Sequence, residues 1–506
     1  MTAKRVTFKL NGVTLEAPEG QLVIEAAKAA GVEIPHYCYH PALGNPGNCR
    51  LCVVEVAGAP KPMVSCRTQV REGLEVYTDS EPARRAQASS LELHLVNHPL
   101  DCPVCDQSGE CGLQDYYMKF GRYDSQVREA KEHKRKRLEI GPHVMLDQER
   151  CVLCTRCTRF TEKITKTSEL GIFGRGHKEF VDLAPGQRLD NAYSGNTVDL
   201  CPVGALTDKD FRFKVRVWYL DQTPSICADC SRGCNVSLHT NTKRPWHDEG
   251  RRLARVKPRH NPEVNQWWLC DEGRYGFKKF DEDRLGRVMR LIPYRRELAW
   301  ETALDELASE LRRELEALGP EGLAVVASGA LSNEDWAAFK AFFVDALGCK
   351  RFLFAPQPDQ LGIEDDLLRR KEKVPNLEGG KALGFGSAVA SLSWERLEAD
   401  LEAGKIWGLY LIERDAARFW GAKASALLSK PRLVVWQGPW KGRTGELAHF
   451  RLPATAHIEE DGHFTNFEGR IQAYQKALEP LGQARPDWSI FEGLRQRLGA
   501  AQKAAR

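Results

Sequence analysis

The chain has 506 residues, 42% of them hydrophobic and 28% charged, the composition of a globular protein long enough for three or four domains. A net charge of +4 is too small at this length to make nucleic acid or an anionic membrane the main partner, and no apolar run is long enough to cross a bilayer. The opening MTAKRVTFKL enters an alternating pattern with no apolar signal core and no twin-arginine motif, which predicts a chain that stays on the cytoplasmic side. In that reducing compartment, clustered cysteines read as metal ligands rather than disulfides.

Residues 1–80 read as a small β-rich domain. Val6, Phe8 and Leu10 alternate with polar residues, Asn11-Gly12 marks a tight hairpin, and Val13 and Leu15 resume the alternation. A short helix over 21–30 closes at Gly31, and strand-like pieces follow at Val53–Val56 and Leu74–Tyr77. A helix is predicted over 81–98, capped by Asp79 or Ser80, with Pro82 in its first turn. The basic stretch 128–137, REAKEHKRKR, reads as a solvated connector or docking surface rather than a nucleic-acid site. Beyond residue 285 the texture changes. Apolar strands at Leu323–Ser328, Trp407–Ile412 and Leu433–Trp436 alternate with helical patterns such as 333–346, which predicts an α/β domain over roughly 290–480. The end from Gly482 is polar and is predicted to be peripheral.

Fifteen of the sixteen cysteines precede residue 271 and fall into four sets. Cys38, Cys49, Cys52 and Cys66, with intervening gaps of ten, two and thirteen residues, resemble the plant-type ferredoxin arrangement and predict a [2Fe–2S] centre, with zinc as the alternative. Cys102, Cys105 and Cys111 lack a fourth thiol. His98, four residues upstream, is the leading fourth ligand, ahead of His94, Asp101 and Asp106. A neutral imidazole in place of a thiolate removes a negative charge and tends to raise the potential. Cys151, Cys154 and Cys157, with a remote Cys201-Pro202, form the bacterial ferredoxin pattern for [4Fe–4S]. Nearby Arg156, Arg159 and Lys163 either point inward, favouring the reduced cluster, or form a solvated helix face. Cys227, Cys230, Cys234 and Cys270 predict a further [4Fe–4S] centre, with structural zinc as the alternative. Cys349 stands alone and reads as a buried hydrophobe. No glycine-rich dinucleotide fingerprint and no Walker loop is present, and no flavin motif is evident. Redox centres in series without a substrate site predict a chain that moves electrons between partners.

In order and spacing, HPLDCPVCDQSGECGLQD, RCVLCTRCTRF and YSGNTVDLCPVGALTDKDFR closely resemble the large iron–sulfur subunit (the G subunit) family of respiratory complex I, NADH:quinone oxidoreductase. The resemblance covers nearly the whole chain. It implies one [2Fe–2S] cluster on Cys38, Cys49, Cys52 and Cys66, and three [4Fe–4S] clusters. These are held by His98, Cys102, Cys105 and Cys111; by Cys151, Cys154, Cys157 and Cys201; and by Cys227, Cys230, Cys234 and Cys270. It implies a flavin-bearing, NADH-oxidising partner, other iron–sulfur and quinone-reducing partners, and a peripheral place on the cytoplasmic side of the membrane, touched only through those partners. On this reading the chain belongs to an enzyme complex but carries no substrate site of its own. Electrons are expected to enter at or near the His98 set and leave from the Cys151/Cys201 set, with the [2Fe–2S] centre branching from or joining that route.

The fourth set with the following GRYGF, together with PNLEGGKALG and LPATAHIEEDGHFTNFEGRIQ, resembles the molybdopterin oxidoreductase fold, with His463 where threonine is usual. Only about 220 residues follow Leu285, and Cys349 is the only cysteine there, so the resemblance implies a shortened scaffold without molybdenum. The fold class expected is α+β and α/β multidomain: a β-grasp ferredoxin-like domain (1–80), iron–sulfur domains (81–140, 141–220, 221–285), and a shortened molybdopterin-oxidoreductase-like α/β domain with a polar tail (286–506). A molybdenum-dependent formate dehydrogenase-type subunit and a diaphorase-arm subunit of an NAD-linked hydrogenase are the alternatives. The first needs a metal ligand not found here. The second usually lacks the fourth set and the long C-terminal domain.

Overall fold

A computed structural model describes residues 4–354, 361–385 and 392–504, in two compact units that divide between Tyr219 and Leu220. Among the described residues no helix is long and apolar enough to cross a membrane.

In the first unit, Arg5–Leu10 and Val13–Pro18 pair antiparallel around Asn11 (φ 51°) and Gly12 (φ 79°), the left-handed pair a two-residue hairpin demands. Val6, Phe8 and Leu10 are all buried, so the period-two pattern marks the inner face. After the helix Val23–Ala29 the chain returns through Glu75–Tyr77, parallel to Arg5–Leu10. Val53–Val56 and Met63–Val64 complete a five-stranded sheet of the expected β-grasp kind. Ser80 caps the next helix, Glu81–Leu95, by accepting from the Ala83 amide at 3.4 Å. That helix stops three residues short of His98. Pro99 disfavours helical geometry in the residue before it, so His98 falls in the loop that follows. The rest of the unit holds a three-stranded sheet (Leu138–Glu139, Val144–Leu146, Leu206–Asp208), a hairpin (Leu170–Phe173 with Phe180–Leu183) and the helices Gly112–Phe120 and Arg156–Lys163.

The second unit opens with a three-stranded antiparallel sheet (Asp221–Ile226, Asn235–Thr240, Leu253–Pro258). A seven-stranded sheet follows, in the order Arg296–Glu297, Met289–Arg290, Phe450–Pro453, Leu433–Gly438, Gly408–Ile412, Leu323–Val326, Arg351–Leu353. Its last five strands are parallel. LAVV, GLYLI and LVVWQG are buried along their whole lengths, as strands covered on both faces must be. Side chains of successive residues feed separate apolar layers: Val325, Tyr410 and Val435 on one face, Val326, Leu411 and Trp436 on the other.

The C-terminal end is not a peripheral polar tail. Asp487–Ala504 is a helix that buries Ile490, Phe491, Leu494 and Leu498 in the main core, with Phe491 packed against Phe339, Phe342 and Phe343. These four residues form one stripe at helical spacing, and the polar residues between them gave the segment its polar average.

Candidate iron–sulfur sites

The loops after the first helix bring Cys38, Cys49, Cys52 and Cys66 into one buried group. Their thiols hydrogen-bond one another, Cys38 with Cys49 and Cys66, and Cys52 with Cys66. Those bonds hold the Cys38 thiol far below its ordinary range and, with burial, push Cys49 and Cys66 up. Between Cys49 and Cys52, Arg50 takes a left-handed conformation (φ 53°), and Asn45 donates to the Cys66 carbonyl at 2.6 Å.

Cys102, Cys105 and Cys111 line a cavity of about 600 Å³ together with His98. The His98 Nδ1 is buried and has no hydrogen-bond partner. Burial, then the Arg150 charge, pulls the imidazole pKa down to about 4, so the ring is neutral near pH 7 and can bind a metal. His94 faces the first set instead: its Nε2 lies 3.0 Å from the Cys49 carbonyl. Asp101 accepts from Arg150 at 2.8 Å and Asp106 from the Phe213 amide at 2.8 Å. Three of the four candidates for the fourth ligand are therefore engaged elsewhere. Arg216 pins the loop by donating to the carbonyls of Pro103 (2.7 Å) and Cys105 (2.6 Å). Gly204 leaves room for the sulfur, since a Cβ there would stand 2.3 Å from Cys105 Sγ. Cys111 and Cys105 are both raised by burial.

Cys151, Cys154, Cys157 and Cys201 line one apolar pocket with Leu146, Val152 and Val203. Leu153 (φ 50°) and Thr155 (φ 63°) are both left-handed, an uncommon state for residues with a Cβ. Within this winding Leu153 N lies 3.4 Å from Cys151 Sγ, and in the segment after Cys201 the amides of Val203, Ala205 and Leu206 bond its thiol. Burial still pushes Cys151 and Cys201 up to about 12. Arg159 points inward. It is 8% exposed, donates to the carbonyls of Leu43 (2.9 Å) and Gly44 (3.1 Å), and also bonds the Cys38 carbonyl. Arg156 donates to the Tyr39 carbonyl at 2.6 Å. Both guanidiniums lower the Cys154 pKa against its burial. The two arginines thus tie the loop that carries Cys38 to the helix that carries Cys157, a long-range role that spacing alone does not reveal.

In the second unit Cys227, Cys230, Cys234 and Cys270 are all buried. Cys270 caps the helix Asp271–Tyr275 through Sγ, 3.4 Å from the Gly273 amide. A Cβ at Gly273 would lie 2.7 Å from Cys227 Sγ. Residues of the TNFEGRIQ segment hold this loop from far along the chain. Gln472 donates to the Gly233 carbonyl (3.0 Å) and accepts from Asn235 (2.7 Å), and Asn466 donates to the Arg232 carbonyl (3.3 Å). His463 pairs with Glu334 at 2.6 Å on the surface.

The donor chemistry fits iron–sulfur groups at all four places: thiols that are buried or half-buried apart from the exposed Cys102, amides aimed at sulfur, glycines where a Cβ would strike sulfur, and one orphaned neutral imidazole where a thiol is missing. Among the described residues no three His, Cys, Asp or Glu side chains are arranged about a single-ion site.

Cys349 lies in the core, with Sγ 3.3 Å from the Leu323 carbonyl. The carboxyl ends of the parallel strands, where doubly wound sheets take ligands, carry carboxylates instead. Glu413 directly follows Gly408–Ile412 with φ 54°, and Asp487 accepts from Gln437. Burial, then repulsion from Asp335, raises Glu413 to about 7 and Glu460 to about 10.

Sequence families match the chain in the same order. Residues 3–81 match a 2Fe-2S iron-sulfur cluster binding domain, 87–126 the NADH-ubiquinone oxidoreductase-G iron-sulfur binding region, and 141–207 the ferredoxin-like domain of NADH-quinone oxidoreductase subunit 3. Residues 220–281 match a molybdopterin oxidoreductase Fe4S4 domain and 391–497 a molybdopterin oxidoreductase. A chain of an NAD+-reducing [NiFe]-hydrogenase in the H2-reduced state is 35% identical over 42% of this chain and 91% of its own, with a TM-score of 0.39. The G subunit of the NADH-quinone oxidoreductase of Streptomyces coelicolor is 37% identical over 83% of this chain, which spans half the length of that relative. The G subunit of the Rickettsia conorii enzyme is 35% identical over 97% of this chain and 87% of its own length. On that likeness, the chain belongs to the G-subunit family of NADH-quinone oxidoreductase.

Proposed function

We propose that this chain is an electron-carrying subunit that passes single electrons from a flavin-bearing NADH-oxidising partner toward quinone-reducing partners. The observation that carries the reading is one apolar core in the first unit that contains Cys38 and Cys49 of the first set, Cys111 of the second and Cys154 of the third. Members of three ligand sets in one apolar core suit transfer between them far better than three separate structural sites would. Cys38, Cys49, Cys52 and Cys66 would hold a [2Fe–2S] group. His98, Cys102, Cys105 and Cys111, and then Cys151, Cys154, Cys157 and Cys201, would each hold a [4Fe–4S] group. When bound, these groups supply one-electron donors and acceptors. The chain's own residues bury them, exclude water through Leu51, Leu91, Leu113 and Val152, and supply amide and guanidinium charge that favours thiolate over thiol.

Cys227, Cys230, Cys234 and Cys270 would hold a third [4Fe–4S] group in the second unit. On the same reading this domain takes no molybdenum, since only about 220 residues follow Leu285 and the one cysteine among them, Cys349, is buried with Sγ 3.3 Å from the Leu323 carbonyl. Exposed Leu100, Met118 and Tyr123 at the mouth of the His98 cavity support a face covered by a partner subunit. A place on the cytoplasmic side of the membrane follows from the same reading.

The test is rapid-freeze electron paramagnetic resonance of the assembled complex mixed with NADH. Signals from the first-unit centres are expected to appear before or with quinone reduction. Quinone reduction that runs to completion while these centres stay oxidised contradicts the proposal.

A further inference from the structure

Tyr37 stands beside Cys38 and is completely buried (0% exposed). Its ring is fixed edge-on against His94, with centroids 5.2 Å apart, and lies tilted against Tyr116 at 5.6 Å. Its hydroxyl is buried and has no hydrogen-bond partner. Buried tyrosine hydroxyls nearly always find one, so an orphan here calls for an acceptor. The surrounding apolar core offers Leu51, Leu91, Leu113, Val152 and Val203, and its other members include ligand cysteines. A water needs two to four polar partners, which these side chains do not provide. The ring lies against the turn that carries Cys111: a Cβ built on the next residue, Gly112, would stand 4.0 Å from it, and Cys111 belongs to the same core.

We propose that Tyr37 donates its O–H to the iron–sulfur group held at Cys111 and thereby raises the potential of that centre. Tyr37 is a positioning and tuning residue, not a ligand, and the inference rests on the ligand assignment proposed above. Hydrogen bonds to cluster sulfur stabilise the reduced, more negative state and set the potential. The phenol, carried by the first set's loop, therefore tunes the second set's centre.

The test is a redox titration of the assembled complex, followed by electron paramagnetic resonance, on Tyr37→Phe and on a protein with 3-fluorotyrosine at position 37. Phenylalanine removes only the hydroxyl. The reduction equilibrium of the His98/Cys111 centre is expected to fall about tenfold, 59 mV for one electron. Iron content and the other centres are expected not to change. Fluorotyrosine is a stronger donor and is expected to shift the same centre the opposite way, a sign that a packing role would not produce. It also serves if the phenylalanine variant fails to assemble. An unchanged potential at this centre, or a shift confined to the first or third set, overturns the proposal while leaving the ligand assignment standing. No iron–sulfur signal from the second set in the unaltered protein overturns the assignment, and the proposal with it.

Discussion

Cys154→Ala is expected to abolish NADH-to-quinone turnover in the assembled complex while leaving NADH oxidation by an artificial acceptor near its normal level. Cys154 is buried in the core shared by Cys38, Cys49 and Cys111, and it is the thiol on which Arg156 and Arg159 act together. Its removal would take one of the four proposed ligands from the Cys151/Cys201 set but leave the surrounding apolar contacts able to close over a methyl group. A flavin-bearing partner would still pass electrons to a small acceptor. Only onward transfer through this chain fails. Assembly is checked by gel filtration and by the signals of the remaining centres. Loss of both activities in a complex that assembles normally contradicts the placement of this chain between flavin and quinone.

Glu459→Ala is expected to destabilise the second unit by about 3–5 kcal/mol, because it leaves a buried charge without its partner. Arg284 and Glu459 are almost fully buried and form a double contact at 2.6 and 2.9 Å. Arg284 also donates to the carbonyls of Pro439 (3.0 Å) and Phe280 (2.9 Å), and Arg252 reaches the same carboxylate at 3.1 Å. One residue thus joins the strand end at 439, the turn after the fourth cysteine set and the LPATAHIEE segment. Amide exchange in Gly408–Ile412 and Leu433–Gly438 is expected to quicken by more than about a hundredfold, at 1.36 kcal/mol per tenfold. Salt should change this little, since the pair is out of reach of solvent ions. A change within the range of an ordinary surface substitution would mean that the two backbone contacts of Arg284, not the ion pair, hold this junction.

The cysteine sets were legible because most members of each set lie close in sequence, and a loop of left-handed turns such as Leu153 and Thr155 is a local event. The hairpin at Asn11-Gly12 and the apolar strands at 323, 408 and 433 were legible for the same reason: turn chemistry and periodicity are short-range. What the sequence hid is what distant segments do to one another. Arg159 could be read as inward or solvated until the carbonyls of Leu43 and Gly44, over a hundred residues away, closed on it. Gln472 and Asn466 hold the Cys230 loop from more than two hundred residues away. The helix Asp487–Ala504 was misjudged because average polarity outweighed a four-residue stripe. His98 is a candidate by proximity to an incomplete set, and only the packed structure shows its Nδ1 without a hydrogen-bond partner while His94, Asp101 and Asp106 bond elsewhere. Tyr37 had no signal beyond being next to Cys38. Only the packed core shows a hydroxyl without a partner.

The most direct test of the central claim is the content of iron, zinc and molybdenum per chain in protein purified without oxygen. One [2Fe–2S] and three [4Fe–4S] groups predict about 14 iron, with neither of the other metals. About 10 iron with one zinc would contradict the cluster assigned to Cys227, Cys230, Cys234 and Cys270. Stoichiometric molybdenum would contradict the reading of the C-terminal domain as a scaffold without that metal.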